Sequence, residues 1–303
     1  MLNSETQSGD DPILQSQAQT DALLQTVNEQ IDTLTFDPND QQLLERMVES
    51  LGDTRGMVRL SIAETLGQIG EPATPFLTQK LANHPNPVVR RACAKTLTLI
   101  ADPTAVPVLL NSFLNDEDTV VRGSAVGALA RTGEAAVPAL LEIIASPEYP
   151  ESTKGHAAWA LAFIGAEAKD YLYNAIASDS TDVRCAAVGA IASLVQEQGD
   201  EQAFKVLISS LTDTAPAVRA EAAAALGKLD QLSAVPELIL CLRDTDSEVR
   251  KTVALALMKL GDSMAIEHLQ AALDKETEAA VGQVIKLAIS QLEKKLDEDD
   301  WES

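Results

Sequence analysis

Hydrophobic residues recur along this chain with the spacing of amphipathic helices, and the pattern itself repeats about every 32 residues. A Val-Arg pair marks six of the repeats, while Thr153-Lys154 and Val281-Gly282 take its place in two others. Seven residues after the second member of each pair, at the +7 position, the chain always carries an aliphatic residue: Leu66, Leu97, Leu129, Leu161, Ile191, Leu226, Leu257 or Ile289. The pattern predicts eight helix pairs over residues 39–296, each with its +7 side chain buried.

Each repeat is predicted to hold two helices. The first begins near a Gly or Asp, often with proline in its first turn, as at Pro75, Pro107, Pro138 and Pro236. The second begins near the Val-Arg pair. An aspartate stands six residues before several of the paired arginines, at Asp53, Asp116, Asp213 and Asp244. We expect these aspartates to cap the second helix and to pair with the arginine of the adjacent repeat, which is a structural role.

The composition of the chain argues against several classes of protein. The 303 residues include 46 acidic and 23 basic side chains, so the net charge of −23 argues against binding to nucleic acid or anionic lipid. No apolar stretch approaches the roughly 20 residues of a membrane helix, and the polar N-terminus does not resemble a signal peptide. Three widely separated cysteines exclude a disulfide framework and a recognisable zinc site. These features predict a cytoplasmic protein with no membrane insertion.

The motif D-x-x-x-x-V-R, followed by L-G-x-I-G at residues 66–70, resembles HEAT repeats of the short, phycobilisome-lyase-like kind. This resemblance implies an all-α fold, a right-handed α-solenoid of eight short helix pairs. The expected organisation is a polar tail plus a capping helix over residues 1–38, the solenoid over residues 39–296 and an acidic tail over residues 297–303.

The sequence also predicts the character of the two ends of the chain. Residues 1–17 are rich in Gln, Ser and Asp and are predicted to be disordered. After them, an apolar helical face is expected to cap the first repeat, formed by Leu23, Leu24, Val27, Ile31 and Leu34. The C-terminal segment holds Trp301 among acidic residues, which fits either a solvated tail or a short motif that docks on a partner.

The fourth repeat departs from the others on its exposed side. Positions +2, +5 and +9 of each second helix should form a solvent-facing ridge on the concave surface, and here they are His156, Trp159 and Phe163. The adjacent repeats place glycines and a cation nearby: Gly127, Gly189 and Arg131. We predict a binding site for a flat apolar ligand or a partner's helix. The alternative is that the rings fill a gap left by small neighbours.

The segment at residues 155–165 resembles the aromatic-rich helix, with an A-A-W core, of the larger subunit of E/F-type phycobilin lyases, although it lacks that helix's tyrosines and second tryptophan. The resemblance implies a partner that is a phycobiliprotein or a second HEAT-repeat subunit. Two functions remain open. One is a non-catalytic scaffold in phycobilisome assembly or turnover, and the other is a subunit of a bilin lyase or a bilin chaperone.

Catalytic motifs are sparse. The sequence has no G-x-S-x-G, P-loop or H-E-x-x-H motif, so no catalytic residue, metal site or cofactor is predicted, and a bilin would enter only as a bound substrate. The di-iron enzyme deoxyhypusine hydroxylase is excluded because the chain has three histidines, with Glu267-His268 in the reverse order. Cys185 follows a ladder arginine and is interpreted as a small helical residue rather than a metal ligand or reactive thiol.

Overall fold

A computed structural model describes the backbone of residues 12–302 and the side chains of residues 12–297. Within this range the chain forms α-helices joined by short turns, and it contains no β-strand. The chain divides into two compact units, Met1–Ala139 and Leu140–Ser303, which are described separately. No helix in the described range is long and apolar enough to cross a bilayer.

The first unit begins with the single helix α1 and continues with three helix pairs. Their bounds are α1 Pro12–Asp32, α2 Gln41–Glu49, α3 Gly56–Ile69, α4 Thr74–Asn83, α5 Pro87–Ile100, α6 Val106–Asn115 and α7 Thr119–Arg131. Each second helix packs against its own first helix and against the next second helix, so α3, α5 and α7 lie side by side. Helix α8, Val137–Ala145, contains the division between the units.

The second unit continues the same arrangement. Its helices are α9 Glu151–Ile164, α10 Lys169–Ala175, α11 Thr181–Gln198, α12 Glu201–Ser210, α13 Pro216–Leu226, α14 Val235–Cys241, α15 Ser247–Leu260, α16 Ala265–Leu273 and α17 Ala279–Glu302. The second helices α9, α11, α13, α15 and α17 again pack side by side. Taken with α8, the described helices form the eight predicted pairs, which confirms the all-α repeat fold. The right-handed course of the array stays a prediction.

The core consists of the apolar faces that the periodicity predicts. All eight +7 residues are buried, and Leu129 and Leu226 are fully inaccessible. Small residues allow the second helices to approach one another closely. A side-chain carbon added at Gly227, the residue that ends α13, would lie 2.7 Å from the Cα atom of Ala256 in α15. Stacking of the repeats therefore depends on both large aliphatic and very small residues.

The predicted arginine–carboxylate pairs link consecutive repeats. Nε lies 2.7 to 2.9 Å from the carboxylate of the next repeat in four pairs: Arg90–Asp116, Arg184–Asp213, Arg219–Asp244 and Arg250–Glu276. In each of these arginines, Nη1 also donates to the backbone carbonyl six residues earlier. The hydrogen bond from Arg250 lowers the pKa of Glu276 to about 2. We call these pairs the ladder; they confirm the predicted structural role.

Capping of the second helices differs from the expectation. The residue that accepts the first helical N–H groups stands four residues before the arginine of the Val-Arg pair, as at Asp118 of α7 and Asp246 of α15. Asp116 and Asp244 instead accept the backbone N–H two residues further on, in the preceding turn. The prediction that these aspartates are the helix caps is therefore wrong, because their carboxylates hold the turn and the ladder arginine.

The ends of the chain are more helical than composition indicates. Helix α1 begins at Pro12, inside the segment 1–17 for which disorder is expected, and residues 1–11 lie outside the described residues. Leu23 and Val27 are buried, but Leu34 lies beyond the helix and is 93% exposed, so its predicted place on the apolar face is wrong. Helix α17 continues through Glu302, and the side chain of Trp301 lies outside the described residues.

Candidate functional site

The aromatic pair of the fourth repeat lies on helix α9. One face of this helix is buried, formed by Ala157, Ala160, Leu161 and Ile164. Trp159 and Phe163 project from the opposite side and are 51% and 53% exposed. About half of each aromatic side chain is therefore open to solvent, which favours a surface role over the filling of a gap.

The two rings form one contiguous apolar patch. Their centroids are 5.8 Å apart and their planes are tilted by 35°, a separation within the range of favourable aromatic pairs. His156 lies one turn earlier and is exposed, and its Nδ1 is 2.7 Å from the carbonyl oxygen of Ser152. In that hydrogen bond the imidazole Nδ1–H is the donor, because a carbonyl oxygen can only accept. We call His156, Trp159 and Phe163 the α9 ridge.

Beside the α9 ridge lies a groove with a floor of very small side chains. Its volume is about 400 Å³, and its floor is formed by Gly155, Ala158 and Ala162 of α9 with Cys185, Ala186 and Gly189 of α11. Charged residues border it: Lys154, Asp182, Glu221 of α13 and Lys228 of the turn after α13. We call this the small-residue groove. The individual residues carry no recognisable motif, so the sequence analysis missed it.

The glycines of the predicted site have different surroundings. A side-chain carbon at Gly189 would lie 2.9 Å from Oε1 of Glu221, so this glycine accommodates a carboxylate of the neighbouring repeat. The space at Gly189 is therefore occupied by the Glu221 side chain. Gly127 and Arg131 lie on α7 in the first unit, where Arg131 is exposed and nothing lies within 4 Å of the Gly127 Cβ position. The site described here is confined to the second unit.

Lys154 replaces the ladder arginine in this repeat. Its Nζ lies 2.6 Å from Oδ2 of Asp182 and 3.7 Å from Oε1 of Glu151, and the hydrogen bond that it donates to Asp182 raises the pKa of the ammonium group. Because Asp182 is on α11, the lysine still links consecutive repeats. It keeps a positive charge at the border of the small-residue groove.

Cys185 lies in the floor of the small-residue groove. The side chain is half-buried, and burial together with the nearby Glu221 carboxylate raises the pKa of the thiol to about 11. At neutral pH the sulfur is therefore protonated and a poor nucleophile. This environment agrees with the interpretation of Cys185 as a small packing residue.

Tyr173, a further aromatic residue of the fourth repeat region, has a local structural role. The hydroxyl of Tyr173 on α10 donates to Asp200 over 3.3 Å, and Nζ of Lys169 lies 2.6 Å from the same carboxylate and 5.9 Å from the centroid of the Tyr173 ring. Asp200 is in turn the N-cap of α12. Tyr173 therefore helps to fix the junction of α10 and α12 and does not extend the α9 ridge.

In the described part of the chain, no three or more His, Cys, Asp or Glu side chains cluster in a way that would hold a metal ion. The site thus consists of an exposed aromatic ridge, an adjacent shallow groove and a few charged side chains. That arrangement is suited to binding a flat or helical surface by apolar contact.

The chain is similar in sequence to a bilin biosynthesis protein and, over a shorter segment, to deoxyhypusine hydroxylase. Bilin biosynthesis protein MpeU of Synechococcus sp. (strain WH8020) is 39% identical over 177 residues, which cover 58% of this chain and 60% of that protein. Deoxyhypusine hydroxylase of Neosartorya fischeri is 35% identical over 94 residues, 30% of this chain and 28% of the enzyme. The chain thus spans less than two thirds of the length of either curated relative.

Solved structures and repeat profiles agree on the architecture. The crystal structure of Kap121p bound to Nup53p superimposes with a TM-score of 0.58 and 15% identity, covering 94% of this chain and 36% of that one. At this identity the similarity shows the fold alone. A profile of HEAT repeats matches residues 74–162 and 204–290. Because the two matches cover more than half of the residues, this chain belongs to the HEAT-repeat family.

Proposed function

We propose that this chain is a non-catalytic HEAT-repeat scaffold that binds a phycobiliprotein, or a second HEAT-repeat subunit, during phycobilisome assembly or turnover. The α9 ridge supplies the central contact. The proposal is supported by the similarity to bilin biosynthesis protein MpeU and by the exposure of Trp159 and Phe163 on a helix whose opposite face is buried. The exposed aromatic pair is the observation that carries it.

Trp159 and Phe163 each keep about half of their side-chain surface open to solvent. A tryptophan that is half exposed contributes only part of its apolar area to the core, so the remainder is available to a partner. Aromatic residues at the centre of an interface account for 2 kcal/mol or more of binding free energy in many complexes. The Phe163 ring supports Trp159 at 5.8 Å and reduces the conformational entropy lost on binding.

A second function, bilin lyase subunit or bilin chaperone, is favoured by the small-residue groove. Glycine and alanine side chains in its floor permit close approach of a flat, apolar molecule, and Lys228 at its border is an exposed cation that a carboxylate can contact. In this function the ligand is an open-chain tetrapyrrole, bound beside Trp159 and passed to a cysteine of the phycobiliprotein. The protonated Cys185 takes no part in the transfer.

The experiment replaces Trp159 with alanine and measures binding and stability on the same preparation. Purified phycobiliprotein, with and without its chromophore, is the ligand. We expect Trp159→Ala to weaken binding by about 30-fold or more, equivalent to 2 kcal/mol, while thermal unfolding changes little. Leu287→Ala is a matched control, because Leu287 holds the same +5 position in the eighth repeat and is 49% exposed.

Two outcomes separate the alternatives. A scaffold binds the phycobiliprotein and leaves the absorption spectrum of added free bilin unchanged, whereas a lyase subunit or chaperone shifts that spectrum through Trp159. If Trp159→Ala lowers the melting temperature by several degrees and leaves binding intact, the ring is a packing residue and the proposal is wrong.

A further inference from the structure

The first unit contains a groove of different character, between the second helices α3 and α5. Its volume is about 420 Å³, and its lining combines cationic and aliphatic side chains: Arg59, Leu60 and Ala63 of α3 with Val88, Arg91, Lys95 and Leu99 of α5. We call this the cationic groove. It does not involve the α9 ridge, which belongs to the second unit.

The charge of this surface is opposite to that of the whole chain. The sequence carries 46 acidic and 23 basic residues, yet α3 and α5 together contain four basic side chains and a single acidic one. The acidic residue, Glu64 of α3, is exposed and does not line the groove. Arg90 points into the ladder and pairs with Asp116, which leaves Arg59, Arg91 and Lys95 to set the charge of the groove.

For Arg59, the next repeat has no carboxylate at the position that usually pairs with a ladder arginine. In the second repeat, the position six residues before the ladder arginine is His84, where the third, sixth and seventh repeats have aspartate. Arg59 Nη1 donates to the backbone carbonyl of Asp53, as its equivalents do, but within the described residues no carboxylate lies in ion-pair distance of its guanidinium group. Arg91 and Lys95 are exposed and likewise form no ion pair with any described residue.

Aliphatic side chains between these cations are unusually open. Leu60, Val88 and Leu99 are 49%, 48% and 53% exposed, and Met57 at the start of α3 is 74% exposed. Gly67 of α3 lets Leu99 approach its backbone, since an added side-chain carbon there would lie 3.0 Å from the Leu99 Cβ atom. Leu99 is therefore held against α3 while it lines the groove.

We propose that the cationic groove docks an acidic amphipathic helix of a partner protein. The helix places its apolar stripe on Leu60, Val88 and Leu99, and its flanking carboxylates contact Arg59, Arg91 and Lys95. Charge complementarity selects this occupant. A basic or purely apolar helix would leave three unpaired cations at the interface, and elsewhere on this acidic protein an acidic helix is repelled. The proposal is independent of the function of the α9 ridge.

The test uses the full chain and a synthetic, fluorescently labelled peptide. The probe is an amphipathic helix of about 18 residues, about 27 Å long, with leucines at helical spacing and glutamates beside them. The comparison peptide has lysine in place of each glutamate. We expect the acidic peptide to bind the wild-type protein with an affinity that falls as salt rises, and the lysine peptide to show at least tenfold weaker binding to this groove.

Variants identify the groove as the binding surface. Arg91→Glu combined with Lys95→Glu should weaken binding of the acidic peptide at least tenfold, and Leu99→Ala should weaken it severalfold. The matched control, Lys205→Glu with Lys259→Glu, changes the net charge equally at exposed positions of the second unit and should have little effect. Circular dichroism should be the same for all variants, because the replaced side chains are exposed.

Three results would overturn the proposal. The first is failure of the acidic peptide to bind the wild-type protein at low salt. The second is binding that the two groove charge reversals weaken no more than the control pair does. The third is self-association of the wild-type protein that the groove variant abolishes, since this would assign the groove to a second copy of the chain.

Discussion

The ladder pair Arg250–Glu276 gives the sharpest prediction about stability. Nε lies 2.7 Å from Oε2 and Nη2 lies 2.8 Å from Oε1, and the two side chains are 16% and 4% exposed. Replacing Arg250 with methionine keeps much of the volume but leaves the buried Glu276 carboxylate without its cation. A stranded buried charge costs about 3 to 5 kcal/mol, and we expect about 3 because Thr277 and Glu278 still donate backbone N–H groups to it.

A second substitution tests whether the stranded charge is the cause. Glu276→Gln removes the charge and retains an oxygen that can accept those N–H groups, so the double variant should be more stable than Arg250→Met alone by about 1 to 2 kcal/mol. The control is Lys251→Met, which breaks an exposed pair with Glu248 (side chains 36% and 71% exposed) and should cost less than about 0.5 kcal/mol. Urea unfolding followed by circular dichroism measures all four proteins.

The pH dependence follows from the direction of the pKa shift. Glu276 has its pKa lowered from 4.5 to about 2 in the folded protein, mainly by the hydrogen bond from Arg250. Its ionised form therefore stabilises the native state fully above pH 4.5, and this contribution is lost as the pH falls toward 2. The stability difference between wild type and Arg250→Met should shrink over that range. If Arg250→Met and Lys251→Met cost the same at pH 7, or if Glu276→Gln worsens Arg250→Met, the reasoning is refuted.

Two further predictions concern packing. Leu129→Ala and Leu226→Ala should each lower the free energy of unfolding by about 2 to 5 kcal/mol, because both side chains are completely buried; a change near zero in urea unfolding would contradict the assigned helix faces. Gly227→Ala should cost about 1 to 3 kcal/mol, because its new methyl group would meet the Ala256 backbone at 2.7 Å, whereas Gly123→Ala on the open side of α7 should be neutral or stabilising by up to about 1 kcal/mol. Equal melting temperatures for the two glycine variants would show that α13 and α15 are not in such close contact.

The sequence predicts those features that the repeat period determines. A helix has a fixed angular period, so the +7 residues could be assigned to the core and Trp159 to the surface without knowing the neighbouring repeats. The ladder could also be predicted, since an arginine and an aspartate at fixed places in successive repeats meet when the repeats stack. These assignments depend on the period alone.

Features that depend on distances between repeats could not be predicted. The Gly189 position is filled by Glu221 from the next repeat, and the small-residue groove exists because α9 and α11 both present glycine and alanine at the same level. Capping was assigned to the wrong aspartate for a related reason. Asp116 and Asp118 are both suitable in sequence, and the choice is made by Arg90 of the preceding repeat, which engages Asp116.

Both candidate surfaces coincide with places where the ladder departs from its usual pair. In a stacked array, side chains that link neighbouring repeats are constrained by packing on both sides. Where one member of a linking pair is replaced, the surface formed by the other member changes as well. His84 stands where aspartate would neutralise Arg59, and Arg59 lines the cationic groove. Lys154 stands where arginine is usual, and it borders the small-residue groove beside the α9 ridge.

Restoring the ladder pair of Arg59 tests whether its absence creates the cationic groove. His84→Asp should give Arg59 a carboxylate and weaken the cationic groove for the acidic peptide severalfold, with Trp159-dependent binding unchanged. If the peptide binds His84→Asp as well as it binds wild type, the lost ladder partner is not what makes Arg59 available.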